Sequence, residues 1–406
     1  MRSVIFFAAM MAASTQFIIG QAMADEVVTL KSLTNYVFIH TPARQGENSL
    51  QKLSEAREKR ASTLFAEPAT ISFNHFNDGI GSGDGLREYE SAVSMPLWLP
   101  GQKRHQQNWS QELANQLPYY QQRLRLQASG LVRQHVWQVM HAAAEVRQAE
   151  TTLANAQALK ASVDKRVAAG DLPENEQLLA KSNLLAMQNQ RQHAQNQLQK
   201  ALNQYHFHTG QRTLPVDVEE AIPQQREINA DHPLLAELSQ KVAILRSEMH
   251  NAQYAGAINP SVSVGVKRER DAGNNESFNN SLGLGFTMAI GDKPFSEPAI
   301  AEAAKAMADV EIMRQQLKVD LEAQLIAQID QLQAQQAQQD MLRQQFEVSK
   351  TYLEQQQKSF EFGQIDLMTL LRVEAEVNKN RAQIQNLEVA IGQTIAQINQ
   401  TLGVTL

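Results

Sequence analysis

The sequence has no cysteine among its 406 residues. Disulfides, thiolate nucleophiles, cysteine-based metal sites and a lipid anchor on an N-terminal cysteine are therefore excluded. Aromatic residues make up only 6%, while glutamine and alanine abound, a composition suited to long polar-faced helices rather than one globular core. Neither charge sign dominates. The net charge of −6 leaves no basic footprint for nucleic acid. Beyond residue 24 no apolar run approaches the roughly 20 residues that a membrane-spanning helix needs.

What is present begins with an export signal. Arg2 gives a positive start, Val4 to Ile19 is apolar apart from Ser14, Thr15 and Gln16, and Ala22-Met23-Ala24 fits a small-x-small cleavage site. Residues 1–24 are read as a signal peptide, with the mature chain starting at Asp25. The mature protein is then periplasmic, secreted, or in the outer membrane as β-strands.

The rest is written twice. Thr41-Pro42 and His232-Pro233 open two halves, and Pro68 and Pro260 each precede an alternating segment. Lys165–Gly170 and Lys358–Gly363 each separate two helical stretches, and His208-Thr209-Gly210 matches Thr401-Leu402-Gly403. The offsets are about 191 to 193 residues, a constancy that marks internal duplication. The expected organisation is repeat 1 over 25–210 and repeat 2 over 211–406, with a Pro- and charge-containing joint from Gln211 to Asp231. Each repeat should run short helix (Ser49–Phe65; Leu234–Ala255), two strands, very long helix (Gln102–Ala168; Glu297–Phe362), glycine turn and returning helix (Glu174–His206; Asp366–Leu402).

The strands alternate with a period of two. Ile71 and Phe73, then Tyr89, Val93, Met95, Leu97 and Leu99, then Val262, Val264 and Val266, then Phe278, Leu282, Leu284, Phe286, Met288 and Ile290 form the apolar faces. Serine, asparagine, glycine and charged residues form the others. An apolar face opposite a small or polar one fits a barrel with lipid outside and water inside, which makes Val93, Leu97, Val264, Leu284 and Phe286 candidate lipid-facing residues. Alternation alone fits an ordinary half-buried sheet equally well. Asn77–Gly85 and Asp271–Asn275 read as the hairpin loops.

The helices decide between these. Some 67 residues at 1.5 Å each give about 100 Å, which no compact domain requires. Ile384, Leu387, Ile391, Ile395, Ile398 and Leu402 form a coiled-coil stripe, and no second broad apolar face is present. Pro118 should kink the first long helix. Four strands cannot close a barrel, since closure takes about eight, and an open edge cannot face lipid. Three copies related by cyclic symmetry would supply about twelve strands.

With these features in place, the chain resembles the TolC-type outer-membrane efflux family over nearly all of its mature length. Arg166–Ala180 (RVAAGDLPENEQLLA) resembles the first periplasmic tip turn of that family, and Phe360–Leu371 (FEFGQIDLMTLL) the second. The resemblance implies a mainly α homotrimer with a shared twelve-stranded membrane β-barrel and a coiled-coil periplasmic tunnel. It also implies a periplasmic adaptor and an inner-membrane pump of the RND type, which feed an entrance at Gly170 and Gly363. Pro96–Arg104 (PLWLPGQKR) is similar to the heavy-metal cation branch, which makes divalent metal ions one candidate cargo and organic solutes the other. A periplasmic adaptor or scaffold is the rival reading, but that architecture has one helical hairpin between β-rich halves, not two.

No catalytic constellation or cofactor motif stands out, and no metal site is assigned. His206-Phe207-His208 is the nearest metal-like group, with Met140-His141 and Met249-His250 weaker still; histidines two apart do not share a helix face. The tips carry more information. Asp171, Glu174 and Glu176 crowd the first turn, and Glu361 and Asp366 the second, with Arg372 following. In a trimer each acid becomes a ring of three, which favours cations at a constriction; alternatively, Glu174 and Glu176 complement the positive start of the returning helix. The resemblance places Glu176 at an acidic gate position. The expected basic partner falls instead on Ile365, and two expected aspartates fall on Thr369 and Arg372, which leaves Arg372 as the candidate partner of Glu176.

Overall fold

The computed structural model describes residues 28–271, 277–291 and 293–406. The signal peptide reading lies outside the described residues, and so does most of the loop expected at Asp271–Asn275.

The chain forms eight α-helices and four strands among these residues. In order they are α1 (Leu30–His40), α2 (Gln45–Ser62), β1 (Thr70–Asn77), β2 (Arg87–Pro96), α3 (Gln102–Ala114) and α4 (Gln116–Ala168). Then follow α5 (Glu174–Thr209), α6 (Pro233–Ala252), β3 (Ser261–Arg270), β4 (Asn279–Thr287), α7 (Lys293–Glu361) and α8 (Leu367–Thr401). No helix among the described residues is long and apolar enough to cross a membrane.

Several ends shift by a few residues from the sequence reading, with β2 and β4 ending before Leu99, Met288 and Ile290, and two differences go further. Helix α1 was not expected. Its capping box, in which Thr29 and Ser32 exchange side-chain-to-backbone hydrogen bonds, starts a helix whose Leu33, Val37 and Phe38 are buried. The first long helix is two helices, parted at Asn115. Pro118 causes the break: without an N–H it cannot bond the Ala114 carbonyl, so it is tolerated only in the first turn of a new helix.

The strands form one antiparallel sheet in the order β1-β2-β3-β4. The two hairpins thus join through β2 and β3, and β1 and β4 are left as edges. The register puts Ile71, Val93, Val264 and Leu284 in one row across all four strands, with Met95, Val262 and Phe286 in a neighbouring row. The opposite face carries Ser72, Ala92, Gly265 and Gly283 in one row and Ser94, Ser263 and Gly285 in the next. Leu97 lies one residue past β2, but its N–H bonds the Pro260 carbonyl at 2.6 Å, so the ladder and its alternation reach it.

The helices are amphipathic only in part, and the core is a series of small clusters along their length. Leu33, Val37 and Phe38 of α1 pack on Leu124, Val132 and Val136 of α4 and on Tyr205 of α5. Leu321, Leu325 and Leu332 of α7 pack on Ile398 and Leu402, the end of the predicted stripe, with Ile391 and Ile395 beside them. At the far end, Val163, Ala180, Phe360, Leu367 and Leu370 join both hairpins.

Candidate functional site: the helical tips and the two faces of the sheet

The two tip turns share one geometry. Gly170 has φ of 82° and Gly363 has φ of 68°, conformations that cost an L side chain about 1 kcal/mol or more. Around the first, the N–H of Gly170 bonds the Val167 carbonyl at 3.0 Å and that of Asp171 bonds Arg166 at 2.8 Å. Around the second, Gly363 bonds Phe360 at 3.0 Å and Gln364 bonds Ser359 at 2.8 Å. Each is a Schellman close, which satisfies the last carbonyls of the descending helix and reverses the chain.

Two residues beyond each glycine the pattern again coincides. Leu172 and Ile365 both pack against the tip cluster. This explains why an apolar side chain stands at Ile365, where a basic one was expected. The returning helices then start differently: α5 follows Pro173, whereas Asp366 caps α8 by accepting the Thr369 N–H at 2.9 Å. The Thr369 side chain and backbone hold the Asp366 carboxyl below the ordinary range, with Arg372 a smaller contributor. Asp366 is thus engaged as a cap, and the Thr369 that replaces an expected acid is its partner.

Asp171 and Glu174 are exposed and make no ion pair among the described residues, and Arg372 is exposed as well. Glu176 is half-buried, with Oε2 shielded from solvent and unbonded. The fold of one chain does not bring Glu176 and Arg372 within ion-pair distance. Among the described residues of its own protomer each has no ion-pair partner, save for the weak field of Arg372 on Asp366.

The sequence reading missed two residues at this end. Arg166 donates to the Phe360 carbonyl at 2.9 Å and lies over the Phe360 ring, joining the two hairpins. Its place four residues before the glycine gave no cue about a contact so distant in sequence. Glu374 is half-buried on α8, and burial raises its carboxyl pKa against a smaller lowering by Gln357. Nothing in the spacing marks it out from Glu376 or Glu388 on the same helix.

The histidine pair behaves as packing. His208 stacks on His135 at 4.2 Å, and His206 points elsewhere on the same last turn of α5. Burial, then His208, lowers the pKa of His135. No group of three or more acidic or histidine ligands converges among the described residues. Met140 packs beside the core, while Met249 and His250 lie near the end of α6. The segment Pro96–Arg104 stitches sheet to helix: Trp98 and Lys103 both donate to the Thr63 carbonyl, at 3.2 and 3.0 Å.

On the sheet, the apolar face is open to solvent, most of all on the edge strands, with Ile71 82% and Leu284 79% accessible in the single chain and Met95 and Val262 half-buried. The other face is small and polar. Its charge cluster is held together by Lys267, bonded to Glu88 at 3.0 Å and to Glu269 at 2.8 Å, and with Glu90 opposite Lys267 it stays net acidic. The face carrying Val93, Val264, Leu284 and Phe286 is the one whose burial the single chain does not supply.

An open four-stranded sheet above paired helical hairpins is the protomer architecture of TolC-type outer-membrane channels, and the chain has that fold. CusC, whose crystal structures describe folding and transmembrane channel formation, superposes with a TM-score of 0.71 at 15% identity, covering 93% of each chain. VceC of Vibrio cholerae gives 0.71 at 13% identity, over 92% of this chain and 96% of that one. CmeC of Campylobacter jejuni gives 0.68 at 15%, over 92% and 85%. No family model matches the sequence, and no curated protein matches it either.

Proposed function

We propose that three copies of this chain close their sheets into a twelve-stranded barrel in the outer membrane and their hairpins into a periplasmic tunnel. The assembly is a passive efflux duct, fed by a periplasmic adaptor and an inner-membrane pump of the RND type. In this reading 25–210 and 211–406 are two structural repeats, each giving one β-hairpin and one helical hairpin.

The observation that carries the proposal is the sheet. It has two open edges, an apolar face with no cover, and an opposite face of glycine, serine and charged residues, which is the pattern of a shared barrel. A second observation supports three-fold assembly. Ile312, Val319 and Ile326 on α7 step by seven and stand 58 to 64% exposed, a stripe at coiled-coil period with no partner in its own chain. The rival adaptor reading is disfavoured by the two hairpins and by a sheet that joins both halves.

For cargo we propose divalent metal cations, on the similarity of Pro96–Arg104 and on the exposed acids Asp171 and Glu174 at the tip. The mature protein in detergent should have the mass of a trimer in light scattering and should conduct ions in planar bilayers. A stable monomer would remove the shared barrel, and equal permeability to cations and anions would remove the preference for metal ions.

A further inference from the structure

The loop end of the sheet breaks the alternation of apolar and polar faces. Arg87 and Arg270 are direct partners across β2 and β3, and Tyr89 is the partner of Arg268. By the period of two all four lie on the face of Val93 and Val264. Two like charges directly opposite on one face destabilise a strand pair unless something neutralises them. None of these arginines makes an ion pair among the described residues. The strand acids Glu88 and Glu269 are on the other face, engaged with Lys267. The loop acid Asp78 is occupied by the Gly85 N–H at 2.9 Å and the Ser82 hydroxyl at 3.2 Å.

Rings hold the arginines outward. Arg268 lies 4.5 Å from the centroid of Phe278, and Arg270 lies 5.7 Å from it while also donating to the Gly85 carbonyl. His75 stacks on Tyr89 at 4.4 Å. On the barrel reading, this end of the strands lies away from the helical tunnel, at the outer leaflet, and its amphipathic rings sit at headgroup depth. There the abundant anions are lipid phosphates, and a guanidinium fork matches a phosphate bidentately.

We propose that Arg87, Arg268 and Arg270, framed by Tyr89 and Phe278, form a binding site for the phosphate of an anionic outer-leaflet lipid, which neutralises the Arg87–Arg270 pair. The inference rests on the barrel reading, and its test separates the two. The full mature trimer in neutral detergent is mixed with phosphatidylglycerol or phosphatidylcholine, and retained lipids are counted by native mass spectrometry. Wild type should retain phosphatidylglycerol over phosphatidylcholine. Arg268→Gln with Arg270→Gln should lower phosphatidylglycerol retention at least about fivefold and leave phosphatidylcholine unchanged. Arg268→Gln alone, which breaks no side-chain hydrogen bond among the described residues, should give a smaller loss in the same direction and serves if the double variant does not assemble. Equal retention of the two lipids by wild type, or unchanged phosphatidylglycerol retention in either variant, overturns the site. Displacement of the lipid by millimolar inorganic phosphate overturns it too, as a free-anion site. A wild-type chain that neither trimerises nor enters liposomes overturns the barrel reading itself.

Discussion

Arg166 reaches from the first hairpin to the second, donating to the Phe360 carbonyl and covering the Phe360 ring. The two residues are 194 apart in sequence. The bond does two things at once. It gives the Phe360 carbonyl, which already accepts the Gly363 N–H, a second donor, and it places a cation at the negative end of α7. The tips of one protomer are therefore a single unit, fastened just above the turns.

Arg166→Gln should loosen that unit. A hydrogen bond from a charged group contributes about 1.5–3 kcal/mol, so the protection of the Ser359–Gln364 amides in hydrogen exchange should fall about tenfold or more. Amides of β2 and β3 should be unchanged. Equal loss in the sheet would mean that the variant destabilises the whole chain rather than the tip.

The strand rows make the second prediction position-specific. Leu284→Arg should impair membrane insertion, because Arg on the lipid side costs roughly 2–4 kcal/mol at the midplane. Val93 and Val264, in the same row, should behave alike. Ser281→Arg, on the other face, should insert normally and change conductance instead. The comparison is read by heat-modifiable mobility of the outer-membrane fraction; equal defects on both faces would refute the lipid and water assignment.

A third prediction follows from the half-buried carboxyl of Glu374. Its pKa is raised in the folded chain, so the fold favours the protonated form. The destabilisation is absent below the ordinary glutamate pKa, grows as pH rises from there to the folded value, and is complete above it. Glu374→Gln should therefore raise the melting temperature at pH 7 and have little effect near pH 4. A larger gain at pH 4 than at pH 7 would contradict the burial argument.

Much of this was legible in the sequence because period and punctuation are local. Gly170 and Gly363, the four alternating strands and the stripe ending at Ile398 and Leu402 needed only spacing. The apolar face of each strand was legible as well, since a shift of one residue would turn Val264 and Leu284 to the wrong side, but which residues pair across the strands was not. Helix α1 was not legible, because its apolar Leu33, Val37 and Phe38 form too short a pattern beside the better-marked helix that follows. Arg166–Phe360 and Glu374 escaped for a different reason: Arg166 finds its partner in the other hairpin and Glu374 finds Gln357 on the neighbouring helix, and no local rule names those contacts. The departures at Ile365 and Thr369 were visible as departures, but only the tip cluster and the Asp366 cap explain them.

The last prediction concerns the entrance. Glu176 has a shielded, unbonded carboxylate oxygen, and Arg372 is an exposed cation with no ion pair among the described residues. Each lies within about three turns beyond a tip glycine, on the returning helix of its hairpin. Neither reaches the other in one chain, so a tie between them has to cross from one protomer to the next. We propose that it does so in the closed trimer. A partly exposed pair contributes about 0.2–1 kcal/mol, and three copies, if additive, bias the closed state by roughly 1–3 kcal/mol. Since about 1.4 kcal/mol is a factor of ten in an equilibrium, that range shifts the open population measurably. Glu176→Gln and Arg372→Gln should each raise single-channel conductance or open probability in planar bilayers. The double variant should add little, because the first substitution already breaks the tie. Charge reversal at both positions, Glu176→Arg with Arg372→Glu, should restore the low conductance. Intact trimers with unchanged conductance in both single variants would return the two residues to the solvated faces of their helices.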